Sequence, residues 1–200
     1  MYSIVKKLSA LALLASSISA FSQDTIQLGY PAHGGNGCPA GTASAVLSPD
    51  GKALSIIFDQ FVTEAGQGSG RTMDRKSCNI AVPVHVPNGF SISILAVDYR
   101  GFVSLPQGAS ARLQAEYFFA GMRGPIFAKD FLGRQDTNYT FNNQLGVQAM
   151  VWSPCGADVN LRVNASMMVR NSGYQTAMAT VDSADFSAGI IYQVQMRRCM

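Results

Sequence analysis

The 200-residue sequence is poor in the groups that metal and nucleophile chemistry draw on. It has two histidines, His33 and His85, and none of its four cysteines lies in a Cys-x-x-Cys pair. Zinc-ribbon and thioredoxin-type sites therefore lack their spacing, and the sequence predicts no bound metal and no cofactor. No G-x-S-x-G elbow occurs, which leaves a Ser-His-Asp hydrolase with little support. Charged residues make up only 14% of the chain. No stretch carries a sustained helical period, no internal repeat is visible, and no apolar run reaches the ~20 residues that cross a bilayer as a helix.

What is present begins with a three-part N-terminus, MYSIVKKLSALALLASSISAFSQD. Lys6 and Lys7 form a charged start, Leu8 to Ala15 an uncharged apolar run, and small residues follow through Ser22. This is the pattern of a secretory signal over residues 1–22, with cleavage expected after Ala20 or Ser22 and a single domain over 23–200. Cleavage removes Lys6 and Lys7 from the 15 basic residues and none of the 12 acidic ones, leaving a net charge near +1. That balance gives no overall electrostatic footprint for nucleic acid or an anionic membrane. The expected location is extracellular, or the periplasm if the source cell has one. The even set Cys38, Cys78, Cys155 and Cys199 then reads as two disulfides.

The rest alternates with period two. Thr42 to Leu47 and Leu54 to Phe58 flank the turn SPDG (Ser48 to Gly51), where proline presets φ and Asp-Gly completes the reversal. Thr63 to Ser77 reads as a Gly-rich charged loop. CNIAVPVHV reads as an edge strand, because Pro83 and Pro87 cannot donate to a ladder. FSISILAVDYRGFVSL is long for one strand, and Gly101 is the expected bulge or bend. ARLQAEYFFAG is another strand, and Met122 to Asn143 looks less regular. GVQAMVW, DVNLRVNASMMV, QTAMATV and GIIYQVQMRRC complete a set of nine or ten short strands. The reading is an all-β, disulfide-stapled antiparallel β-sandwich, with a closed barrel as the alternative.

Hairpin parity places Cys38, just before one strand, at the same end of a sheet as Cys78, two reversals later. Cys38–Cys78 is therefore expected. Cys155–Cys199 follows by exclusion, but three alternating strands between them would carry Cys199 to the opposite end. That pair can meet only if one segment is not a full strand or crosses between sheets.

Taken together, NGCPAGTASAVLSPDGKALSIIFDQF, CNIAVPVHVPNGFSISILAVDYRGFVSL, WSPCG and the final QMRRC resemble a family of small secreted bacterial and fungal proteins, domain of unknown function 4360. The resemblance covers nearly the whole mature chain. It implies an exported, all-β, cysteine-stapled domain, and it brings no activity, cofactor or catalytic residue with it.

Among polar elements DYRG stands out. Asp98 and Arg100 share one face of a strand while Tyr99 faces the core, so a charge-assisted pair at a ligand or structural site is expected. His85 is the one candidate base, with Asp98 or Asp182 as its partner. Asp182 and Asp185 sit in a loop that more often only initiates a turn than binds calcium. The aromatics of EYFFAG and NYTF, with Trp152, either stack on sugars or fill the core. No catalytic residue is assigned. The functional expectation is a secreted, non-enzymatic β-sandwich that binds or coats at the cell surface or beyond it, with carbohydrate or protein as ligand. The alternative is a secreted hydrolase with an unconventional His/carboxylate site.

Overall fold

The structure is a computed structural model that describes residues 25–146, 150–181 and 190–199. Among these residues thirteen strands run in chain order. They are β1 (Gln27–Leu28), β2 (Ala32–Gly34), β3 (Ala43–Leu47), β4 (Ala53–Phe58), β5 (Val62–Ala65), β6 (Met73–His85) and β7 (Phe90–Leu105). After these come β8 (Ser110–Phe119), β9 (Ile126–Leu132), β10 (Gln135–Gln144), β11 (Val159–Arg170), β12 (Ala177–Thr180) and β13 (Ile190–Arg198). They form two antiparallel sheets. The six-stranded sheet has the order β1–β6–β11–β8–β9, with β2 also on β6. The seven-stranded sheet has the order β3–β4–β13–β7–β12–β5, with β10 also on β7. Both sheets are open, so the architecture is a sandwich and not a closed barrel.

One core lies between the sheets. From the six-stranded sheet it takes Ile80, Val82, Leu113, Val163 and Met167, and from the seven-stranded sheet Leu54, Ile56, Val97, Val103 and Ile190, all 2% exposed or less. β8, and β11 from Asn160 onward, alternate strictly between buried and accessible positions, as strands with one face on a core and one in water must.

The SPDG hairpin forms as read, β3 and β4 pairing from Ala43↔Phe58 to Leu47↔Leu54. Ser48 Oγ donates to the Asp50 carboxylate at 2.5 Å and holds that carboxyl below its ordinary range, with the Lys52 backbone N–H assisting. Four local readings need correction. The stretch after Thr63 is not one loop: β5, a short 3-10 turn at Gln67–Ser69 and the first residues of β6 occupy it. Its inward residues, Asp74 and Lys76, lie half-buried at the rim, so no apolar alternation marks it. β6 is not an edge strand, because β1 and β2 cover its free side. Pro83 sits where cover passes from one to the other, its carbonyl accepting from the Gly29 N–H at 2.8 Å.

Met122 to Asn143 is regular after all: it holds β9 and all but the last residue of β10, one in each sheet. Phe127, Phe131, Tyr139 and Phe141 from the two strands meet in the space between the sheets, where Phe127 stacks on Tyr99 at 4.2 Å. The bulge in β7 is at Leu95 and not at Gly101. Gln193 faces Ala96 while Val194 faces Ile94, leaving Leu95 as the extra residue, 41% exposed. The slip returns both halves of the strand to the core, so Ile92 and Ile94 are buried along with Val97, Tyr99 and Val103. Gly101 serves close packing instead. It lies opposite Tyr139, and a Cβ there would overlap the Thr180 carbonyl oxygen and the Tyr139 hydroxyl.

Both expected disulfides are present, Cys38–Cys78 with Cα atoms 5.4 Å apart and Cys155–Cys199 at 6.0 Å. The parity conflict for the second disappears because β12 and β13 run in the same direction. Both pair antiparallel with β7, β12 at Val103 and Ser104 and β13 from Tyr99 to Phe90. They form one interrupted line along a single edge of β7, whose other edge carries β10. Only one reversal, from β11 in one sheet to this line in the other, separates the two cysteines. They meet at the start of β7, where the Gly156 N–H donates to Phe90 and the Cys199 N–H to Gly89.

Tyr99, Tyr117 and Tyr192 are 2% exposed or less, and their hydroxyls are buried without a hydrogen-bond partner among the described residues. Burial raises all three pKa values well above the ordinary tyrosine range, and mutual repulsion adds to the effect at Tyr99 and Tyr192. In an unfolded chain these groups ionise near pH 10. Above that pH the unfolded state holds fewer protons than the fold, so stability is intact below about pH 10 and falls as pH rises. Each such tyrosine steepens the fall by about 1.4 kcal/mol per pH unit. Denaturant titrations between pH 8 and 11.5 should show this loss. Tyr192→Phe should flatten it by one proton without lowering stability at pH 7, since the hydroxyl makes no bond there. An unchanged slope in that variant would contradict the assignment.

Candidate functional site

The outer face of the seven-stranded sheet gathers the polar groups that DYRG announced. In β7, Tyr99 points into the core, which turns Asp98 and Arg100 outward. Asn142 of β10 stands directly opposite Asp98 and donates its amide N–H to one carboxylate oxygen at 2.6 Å. Gln193 of β13 donates to the other oxygen at 3.4 Å. The carboxylate is thus oriented from both neighbouring strands. Thr140 faces Arg100 across the ladder.

The expected Asp98–Arg100 pair does not form. Residues i and i+2 on one strand stand roughly 6.6 Å apart, whereas a directly opposed cross-strand residue is at about 4.5–5.5 Å. Asn142 therefore reaches Asp98 first. Arg100 makes no ion pair among the described residues, and its Nε is buried without a hydrogen-bond partner. The result is a carboxylate fixed by two amides beside an arginine whose charge is not neutralised. Such a group of donors and acceptors can hold vicinal hydroxyls.

His85 lies on the other sheet from Asp98 and does not meet it. Its Nδ1 is 2.6 Å from a carboxylate oxygen of Asp158, which precedes β11, and both side chains are more than half exposed. Asp98 is in the seven-stranded sheet, and Asp182 and Asp185 lie outside the described residues. His33 is bonded locally, its Nδ1 3.1 Å from the Cys38 carbonyl oxygen. Among the described residues no group of three or more His, Cys, Asp or Glu side chains is placed to hold a metal ion.

Most of the candidate aromatics belong to the core, while Phe118 is half-buried on the outer face of β8, opposite Arg162. Tyr117, Phe119 and Tyr139 are buried in the core, and Phe141 packs against it. Trp152 is half-buried, with the Arg197 guanidinium 3.8 Å over its ring. Sequence reasoning missed Asn142, Gln193 and Asp158. Their partners lie 44, 95 and 73 residues away along the chain, and no local pattern signals such a meeting.

Among the described residues no helix is long and apolar enough to cross a membrane. A family model described as "Domain of unknown function (DUF4360)" matches residues 24–199. A curated protein of Arthroderma benhamiae, described as "Uncharacterized secreted protein", is 32% identical over 178 residues. That match covers 88% of this chain and 73% of the relative.

Proposed function

The chain belongs to the DUF4360 family, and from that premise we propose that it is a secreted, non-catalytic β-sandwich that binds a carbohydrate at or outside the cell surface. The secreted relative, the two disulfides and the signal-like N-terminus support the location. One observation carries the ligand class: Asp98 held by the Asn142 and Gln193 amides, with Arg100 beside it on an accessible sheet face. The site offers oriented acceptors, amide donors and a guanidinium on rigid strands, and hydroxyl groups pair with each of these.

Calorimetric titration of the mature chain against a panel of neutral oligosaccharides tests the reading. A sugar that binds the parent should bind Asp98→Ala and Asn142→Ala about tenfold more weakly, the loss of a hydrogen bond to a charged group. Melting temperatures should change little, since these side chains lie outside the core. Unchanged affinity in both variants would remove the site from the account.

The hydrolase alternative rests on the His85–Asp158 pair, because a carboxylate that orients an imidazole is half of a general-base arrangement. It predicts turnover of an ester, peptide or glycoside that disappears in His85→Ala while the fold survives.

A further inference from the structure

The outer face of the six-stranded sheet carries arginines that the site above does not use. Register lines them up at the end of the sheet where β6 begins and β11 ends. Arg75 of β6 faces Met168 of β11, Met168 faces Arg112 of β8, and Arg112 faces Asp130 of β9. In the adjacent row Arg170 of β11 sits between Met73 and Ser110. Strands are spaced by roughly 4.8 Å, so the three arginines flank Met168 on one exposed surface.

Their charges are mostly unspent. Arg112 is engaged by Asp130, one guanidinium nitrogen lying 3.0 Å from each carboxylate oxygen. Among the described residues the Arg75 guanidinium makes only a 3.5 Å hydrogen bond, to the Ser166 hydroxyl. Arg170 has no ion-pair partner among the described residues. Two uncompensated guanidinium groups thus stand on a rigid face, in a protein whose mature net charge is near +1. The near-balance of the whole chain conceals a local positive field.

We propose that this face docks a linear anionic polysaccharide, with Arg75 and Arg170 gripping successive carboxylate or sulfate groups. Charge complementarity selects the anion, and a planar guanidinium takes an oxyanion through two parallel N–H bonds. The open sheet face, with Met73 51% exposed beside the arginines, leaves room for an extended chain that lies across strands. The exported setting supplies such polymers at the cell surface. The proposal does not depend on the Asp98 site, which lies on the opposite sheet.

The test uses the mature chain on immobilised polygalacturonate and dextran sulfate, with neutral dextran, duplex DNA and anionic phospholipid vesicles alongside. The expected result is retention on at least one acidic polysaccharide at low salt, weakening steeply as salt shortens the Debye length. Arg75→Gln with Arg170→Gln should reduce that binding ~10-fold or more, leave the melting temperature unchanged, and leave any neutral-sugar binding at Asp98 intact. Asp98→Ala should have no effect on the acidic polymer. No retention at low salt, equal retention on DNA or vesicles, or full binding by the double variant would each overturn the proposal.

Discussion

Cys38→Ala combined with Cys78→Ala is expected to lower the unfolding free energy by about 4 kcal/mol, from the loop closed by a bond of sequence separation 40. A domain of ordinary stability has about 5–15 kcal/mol in total, so the variant should be marginal at 37 °C. The two bonds should also separate under mild reductant. Cys38 and Cys78 are 0% exposed, and thiolate attack requires access to the sulfur. Cys155 is exposed and Cys199 half-exposed. Alkylation followed by mass analysis of the native protein should show Cys155–Cys199 opening first, while Cys38–Cys78 persists until the fold is lost. Equal rates of opening in the native state would contradict this burial.

Gly101→Ala should be the most damaging single methyl group in the molecule's longest strand. Its Cβ meets a backbone carbonyl, Thr180, on one side and the Tyr139 ring and hydroxyl on the other. That hydroxyl is itself committed, donating to the Thr180 carbonyl at 2.7 Å. Neither neighbour can give way without disturbing β10 or the end of β12, so a loss of about 3 kcal/mol is expected, at the upper end for overpacking. Gly34→Ala is the control, because nothing lies within 4 Å of its Cβ. Denaturant unfolding of the two variants compares them directly, and equal midpoints would refute the close-packing role.

The parts of this fold that could be read from sequence are local. The SPDG hairpin and the inward face of β8 depend on alternation within one sheet, whereas the Cys38–Cys78 bond forms as expected by another route: β3–β4 and β6 lie in different sheets, and the pairing of β2 with β6, Gly34 opposite Asn79, brings Cys38 to Cys78. The parts that could not are set by the meeting of distant segments. β9 and β10 escaped notice because each gives a few aromatics to a space between two sheets, and β9 places Lys129 at an inward position over the Phe141 ring. The collinearity of β12 and β13 is a property of their shared partner β7, which neither segment encodes alone. The DYRG face was legible, including the inward Tyr99. Its partners were not, and the nearer Asn142 displaced the expected arginine pair for a reason that only the cross-strand register contains.

Amide chemical-shift mapping of the mature chain during titration with a neutral oligosaccharide, read together with the sugar's own signals over the same hours, tests the central claim of non-catalytic binding most directly. The account predicts saturable shifts centred on Asp98, Arg100, Asn142 and Gln193, with the sugar recovered intact. Shifts centred on His85 and Asp158, with new sugar signals appearing over time, would contradict it and identify a hydrolase.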